Sequence, residues 1–291
     1  MTFKPNRKLL HLVGSGLGAI GVIFVAVKLL QYRDQLSFST LPASTWLAIS
    51  LLAVGYGFCG AILALAWREL LAFHGLDVTP QWSIRIYGMS QLAKYIPGNI
   101  FHLASRQAIG IASGMPAWPF AKSIGWELGT ISASALLFIP LAMPLKVPTP
   151  GVAVASLAFL PLVAGAILLL KTRLSAQLAK AVAYYVTFLL LTGLTFAALL
   201  NLTSTIEAGA AGHLGLWISL SGAYVLAWLV GLVTPGAPAG VGVREAILYL
   251  LLNRLTGHAE LITAIVLGRG VSVAGDFLFF LAATLIRPSS R

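Results

Sequence analysis

Apolar stretches of membrane-crossing length recur along the chain, at Leu9–Leu30, Trp46–Ala66, Phe120–Pro140, Gly151–Leu170, Ala181–Leu200, Leu214–Val233 and Leu261–Ile286. No other feature limits the fold so tightly. About 20 apolar residues in a helix cross the hydrocarbon core of a bilayer. In lipid, backbone polar groups must be satisfied within the segment, so such runs fold as helices. The links between them are short, which predicts one transmembrane domain over residues 1–291 and no separate soluble domain. With 58% hydrophobic and 9% charged residues, and a mean hydropathy of +0.92, the chain has too little polar surface to cover a water-soluble globule.

The formal net charge of +11 does not indicate nucleic acid, because the basic residues flank apolar runs and form no single patch. They read instead as orientation signals. Lys4, Arg7 and Lys8 place the N-terminus in the cytoplasm, Lys171, Arg173 and Lys180 place the loop after the fourth run there, and Arg287 and Arg291 do the same for the C-terminus. The loops near Arg33 and Glu207 suit the opposite side, so the chain is expected to be a multi-pass protein of the plasma (inner) membrane. Leu9–Leu30 follows basic residues as a signal peptide would, but its length and the lack of a small-residue cleavage site predict a retained span. Trp46, Trp82, Trp118 and Trp217 fall near span ends, as an aromatic belt does. Gly14 and Gly18 have the spacing of a close helix contact. Cys59 is the only cysteine, which excludes a disulfide framework or a thiolate metal cluster.

Two segments depart from simple spanning helices. Residues 81–96 are too polar to face lipid all round; Pro97-Gly98 interrupts them, and a helical pattern resumes from Asn99 to Gly110. Proline removes a donor and clashes with the preceding turn, so two half-helices are expected here. The second break lies at Pro235-Gly236, followed by Gly240 and Gly242. Compared with itself, the chain aligns Pro97 to Ile109 with Pro235 to Ile247 without a gap, with five identities in thirteen positions, Arg106 on Arg244 among them. Counting crossings from a cytoplasmic N-terminus, the two copies run in opposite directions. The predicted fold is therefore an all-α polytopic membrane helix bundle of about six full spans plus two re-entrant broken-helix hairpins, about 80–114 and about 214–253, related by an inverted repeat. Broken backbone at membrane depth is tolerated where it is buried or lines a wet cavity, so the hairpins point to a shared central site.

Asn99, His102 and Arg106 recur three and four apart, which puts them on one helical face, with Lys94 just before the break. That set suits a phosphate or phosphodiester, since arginine offers a planar donor fork and helix N-termini favour anions; a polar face snorkelling to the interface is the plainer alternative. Arg244-Glu245 follows the glycine-rich stretch, whose bare backbone and helix start could approach a ligand closely. A charge near the bilayer centre needs an anionic partner, and for Arg244 the candidates are Glu245, Glu127, Asp276 or a lipid. Asp276 shares a face with Arg269 and Ser272, so an Arg269–Asp276 structural pair stands beside a binding role; Glu127 sits in an apolar span without a local partner. No HExxH, Cys-x-x-Cys or P-loop pattern is present, and Ser219 stands where an intramembrane serine protease has glycine before Ser221. The expectation is a protein that is not an enzyme, with no cofactor and no metal.

Lys94-Tyr-Ile-Pro-Gly98 with Phe101-His102 and Ser105-Arg106, and Pro235-Gly-Ala-Pro-Ala-Gly-Val-Gly-Val-Arg-Glu-Ala246, resemble the two signature stretches of the lysylphosphatidylglycerol synthase transmembrane region family, also described as flippase-like domains. The resemblance covers nearly the whole chain, and its second stretch is the more specific. It implies a lipid-translocating cell-envelope domain with re-entrant hairpins. In the synthases, aminoacyl transfer is attributed to an additional soluble domain, so that activity is not carried over. One departure is Ala239-Gly240 in place of the usual Gly-Gly. The leading expectation is a flippase-like protein in which Arg106 and Arg244 bind the headgroup of an anionic phospholipid or lipid-linked glycan. Alternatives are an intramembrane headgroup transferase using Glu127, His102 or Asp276 as base, and a non-catalytic subunit that anchors a glycosyltransferase or synthase; oligomeric state is open.

Overall fold

The computed structural model describes residues 42–96, 100–145, 152–204, 212–234 and 238–287. The run Leu9–Leu30 with its flanking charges, the Gly14/Gly18 pair, the breaks at Pro97, Gly98, Pro235 and Gly236, and Asn99, Glu207 and Arg291 lie outside them. Ten α-helices make up the described chain, with 3-10 turns and no strand among the described residues. They are α1 (Ala43–Phe73), α2 (Pro80–Gln91), α3 (Phe101–Ala112), α4 (Ala117–Leu136), α5 (Ile139–Ala142), α6 (Val152–Arg173), α7 (Ala176–Thr203), α8 (Gly212–Val233), α9 (Val243–Leu252) and α10 (His258–Leu285).

Four of these, α1, α7, α8 (from Leu214) and α10, are long and apolar enough to cross a membrane, and α4 makes a fifth if it is joined across a 41° bend to the turn at Ile139–Leu145. That is the pattern of a multi-pass membrane protein. The two hairpins expected to be alike differ in length. Hairpin one begins with α2, only 12 residues long, started by Thr79, whose hydroxyl accepts the amide of Trp82, and by Pro80 at the first helical position. Hairpin two begins with α8, long enough to span by itself, because its apolar run contains no break before Val233.

Burial is inverted relative to a soluble protein. Leu47, Phe58, Leu157, Leu214 and Leu285 are exposed on the outside, while Arg106, Glu127, Arg244, Arg269 and Asp276 are buried. The helices α1, α7 and α10 form the centre, with α2 against α10 and α8 against α7. Small residues permit this. A Cβ at Gly275 of α10 would lie 2.8 Å from the carbonyl oxygen of Ala53, and one at Gly60 of α1 would lie 2.4 Å from the Phe279 ring. Gly275→Val should therefore force α1 and α10 apart and cost about 1–3 kcal/mol, read as a lower unfolding temperature in detergent.

At one end of the bundle a polar cluster closes the α1–α2 link. Arg68 donates from Nε to the Val78 carbonyl at 2.9 Å and pairs with the buried Glu69 at 3.0 Å, and Lys180 at the start of α7 stands 3.9 Å from the same carboxylate. The first limb of hairpin one is held to the last helix, where Arg85 of α2 donates to the backbone oxygens of Thr284 and Ile286.

Candidate functional site

A cavity of about 100 Å³ opens where both hairpins meet α1, α4, α7 and α10. Hairpin one brings Lys94, Tyr95 and His102 to its wall, hairpin two brings Ala239, Gly240 and Arg244, and α4 and α10 bring Glu127 and Arg269. This volume has room for several waters or one small polar group.

Of the residues expected at a site, Lys94, His102, Glu127, Arg244 and Arg269 line the cavity. Arg106, Glu245 and Asp276 stand one step behind, each ion-paired to a lining residue. Arg106 is fully buried and bonds Glu127 through Nη1, with its guanidinium 3.8 Å from the Tyr87 ring centre and 5.1 Å from that of Trp67. Tyr87 donates its hydroxyl to the other Glu127 oxygen at 2.8 Å. Glu127 thus has its missing partner, and Arg106 is already neutralised. Arg106 and Glu127 form a buried pair that joins α3 to α4.

The other carboxylates are also taken. Asp276 accepts from Lys94 Nζ at 2.7 Å, from Gln91 Nε2 at 3.2 Å and from the Tyr95 hydroxyl. Glu245 bonds Arg269 Nε. The expected Arg269–Asp276 reading is thereby replaced: residues spaced along one helix share a face, but each finds its charge partner on the hairpin packed against it.

Glu245 also accepts from its own Gly242 amide at 2.7 Å. The start of α9, expected to offer free amides to a ligand, is in part capped by its own side chain. The turn before it is left-handed, with positive φ at Ala239 (49°), Gly240 (71°) and Gly242 (85°). Gly240 makes the close approach, since its added Cβ would lie 3.0 Å from Gly231. Ala239 occupies a conformation that favours glycine, and its carbonyl accepts from Arg269 at 2.9 Å. Ala239→Gly should raise stability by about 0.5–1 kcal/mol, the left-handed strain relieved less the added chain entropy, measured by thermal unfolding.

Arg244 is different from every other charge at the cavity. It is 6% exposed, and its guanidinium lies 4.1 Å from the Tyr224 ring centre. No carboxylate lies within 4 Å of it among the described residues. The cavity and its backing therefore hold four cations, Lys94, Arg106, Arg244 and Arg269, against three carboxylates, Glu127, Glu245 and Asp276. The surplus positive charge sits on Arg244, on the wall. His102 adds a buried Nδ1 with no partner among the described residues.

Sequence reasoning missed the tyrosines. Tyr56, Tyr87 and Tyr95 line the cavity and Tyr224 lies behind Arg244; their signal was a phenol in an otherwise apolar helix, which is equally the signal of an interface residue. No group of three or more histidine, cysteine or carboxylate side chains that could hold a metal occurs among the described residues. The chain matches no protein-family model, and no curated protein matches it significantly.

Proposed function

We propose that the protein is a flippase-like membrane protein that binds an anionic phospholipid or lipid-linked glycan headgroup in the central cavity and carries it between leaflets. One observation carries this reading: Arg244, buried on the cavity wall, has no carboxylate within 4 Å among the described residues, where a charge without an ion-pair partner costs about 2.5–3.5 kcal/mol. A phosphate held by its donor fork supplies the missing charge. Lys94 stands on the same wall, so a second cation is within reach of a headgroup that competes with Asp276.

The resemblance to the lysylphosphatidylglycerol synthase transmembrane region family supports the same assignment. So does a feature shared by the hairpins: Arg106 stacks on Tyr87 and Arg244 on Tyr224, each tyrosine from the first limb of its own hairpin. That likeness favours a repeat, which we take, with the basic residues flanking the apolar runs, as an inverted one in a bundle with both termini cytoplasmic. In this arrangement the hairpins enter from opposite leaflets, and the acyl or prenyl tails stay in lipid while the headgroup passes.

Reconstitution into liposomes tests the proposal. A headgroup-labelled anionic phospholipid should become accessible to a membrane-impermeant quencher faster than in protein-free liposomes, and a neutral analogue should not. Equal rates with and without protein for every anionic lipid, including a polyprenyl phosphate, would refute translocation.

A further inference from the structure

A second recess lies on the opposite face of α4 from Glu127. It measures about 380 Å³ and is walled by Gly125, Trp126, Gly129 and Ala133 of α4, Leu170 of α6, Leu174 just past the end of α6, and Leu178 and Val182 of α7. Apart from the Thr130 hydroxyl, which is turned back onto the Trp126 carbonyl at 2.6 Å, its side chains are apolar. A Cβ added at Gly125 or Gly129 would meet nothing within 4 Å, so the groove is open along these two positions.

Its rim is basic. Lys122 lies one turn before Gly125 and Trp126 on the same face of α4, and Lys171 and Arg173, both exposed, lie in the last turn of α6 between Leu170 and Leu174 in sequence. These residues share one end of the bundle: Phe73 at the end of α1 packs on Trp126 at 5.2 Å, and Glu69, one turn earlier, meets Lys180 at the start of α7. The carboxylates at this end are Glu69, occupied by Arg68 and Lys180, and Asp77 in the α1–α2 link. Lys122, Lys171 and Arg173 are left as surplus charge above an apolar slot with an exposed tryptophan, Trp118, beside Lys122.

We propose that this groove is a second lipid site, distinct from the central cavity, which seats one acyl chain of an anionic phospholipid and holds its phosphate on Lys122, Lys171 and Arg173. The combination is what selects a lipid: a tail-wide apolar channel ending in cations at the level where tryptophans mark the headgroup region. The site retains its lipid and does not carry it across, because no buried cation lies along the groove among the described residues.

The experiment uses purified protein in nanodiscs with phosphatidylglycerol that carries a photoreactive acyl chain, the crosslinks being mapped by peptide mass. Wild-type protein should crosslink at Gly125, Trp126, Gly129 or Ala133 and at Leu170, Leu174, Leu178 or Val182, and phosphatidylcholine with the same tail should do so at least about tenfold less, given three basic contacts. Gly125→Leu with Gly129→Leu puts two side chains into the slot from positions where an added Cβ meets nothing within 4 Å, and should abolish these crosslinks at unchanged unfolding temperature. Lys122→Gln with Lys171→Gln and Arg173→Gln should remove the preference for phosphatidylglycerol. Undiminished labelling in the filled variant overturns the proposal, as does equal labelling by both lipids in the wild type. So does conversion of a dimer to a monomer by the glycine changes, which would make the groove a seat for a second copy. Because Glu127, Leu128 and Ile131 face the central cavity whereas Gly125, Trp126, Gly129 and Ala133 face the groove, the labelled positions separate the two sites, and the outcome is independent of whether the central cavity translocates anything.

Discussion

Glu127→Gln is expected to destabilise the protein by about 3–5 kcal/mol, because it leaves the fully buried Arg106 without its carboxylate. Arg106 would keep the Tyr87 and Trp67 rings and a long contact from Nε to the Ser90 hydroxyl at 3.4 Å, but none of these neutralises it. The loss should appear as a much lower unfolding temperature and poor recovery from detergent. Adding Arg106→Gln should return most of the stability, since replacing both partners removes the uncompensated charge. The double variant also separates two roles for Glu127. If the carboxylate serves only to balance Arg106, the double variant still moves lipid; a well-folded double variant without transport would mean that Glu127, which lines the cavity, takes part in the transport step.

Among the described residues, the long helices and their approximate ends were legible because apolar run length reports directly on membrane crossing, and residues on either side of the two expected breaks line one cavity. The charge partners were not legible. A 3.6-residue period tells which residues share a face, as for Arg269, Ser272 and Asp276, but not how that face is turned towards its neighbours. Lys94 with Asp276 and Glu245 with Arg269 join residues far apart in sequence, and only the packed bundle decides those pairs. For the same reason Arg106 and Arg244, equivalent in the sequence alignment, have different surroundings. Arg106 lies within α3 and faces Glu127, whereas Arg244 is the second residue of α9, behind a left-handed turn, and faces the cavity.

The arrangement of the pairs bears on how the site could open. Hairpin one is tied to α10 by Lys94 and Asp276, and hairpin two is tied to the same helix by Glu245 and Arg269. Asp276 and Arg269 are two turns apart on one face, so α10 acts as a post carrying one tether for each hairpin. An anion bound at Arg244 lies beside Lys94 and Arg269, both lining the same cavity, and competes with the carboxylate that each tether uses. Under the proposed function, ligand binding would weaken the contacts that hold the hairpins in place, which is the differential interaction a conformational change requires.

Arg244→Gln should abolish that coupling while leaving the fold intact, the opposite of the Glu127 result. The guanidinium has no carboxylate to abandon, and its Tyr224 contact is worth about 0.5–2 kcal/mol, offset by relief of an unpaired buried charge. The unfolding temperature should hold or rise. Anionic headgroup binding should fall by about 10- to 150-fold, the equivalent of about 1.5–3 kcal/mol for a lost charge-assisted hydrogen bond, measured by retention of co-purified lipid in native mass spectrometry and by quencher access in liposomes. Arg244→Lys keeps the charge but loses the two-pronged geometry, so it should fall between wild type and Arg244→Gln. Wild-type lipid retention in both variants would show that the headgroup is held elsewhere, and would remove the residue on which the functional reading of the cavity depends.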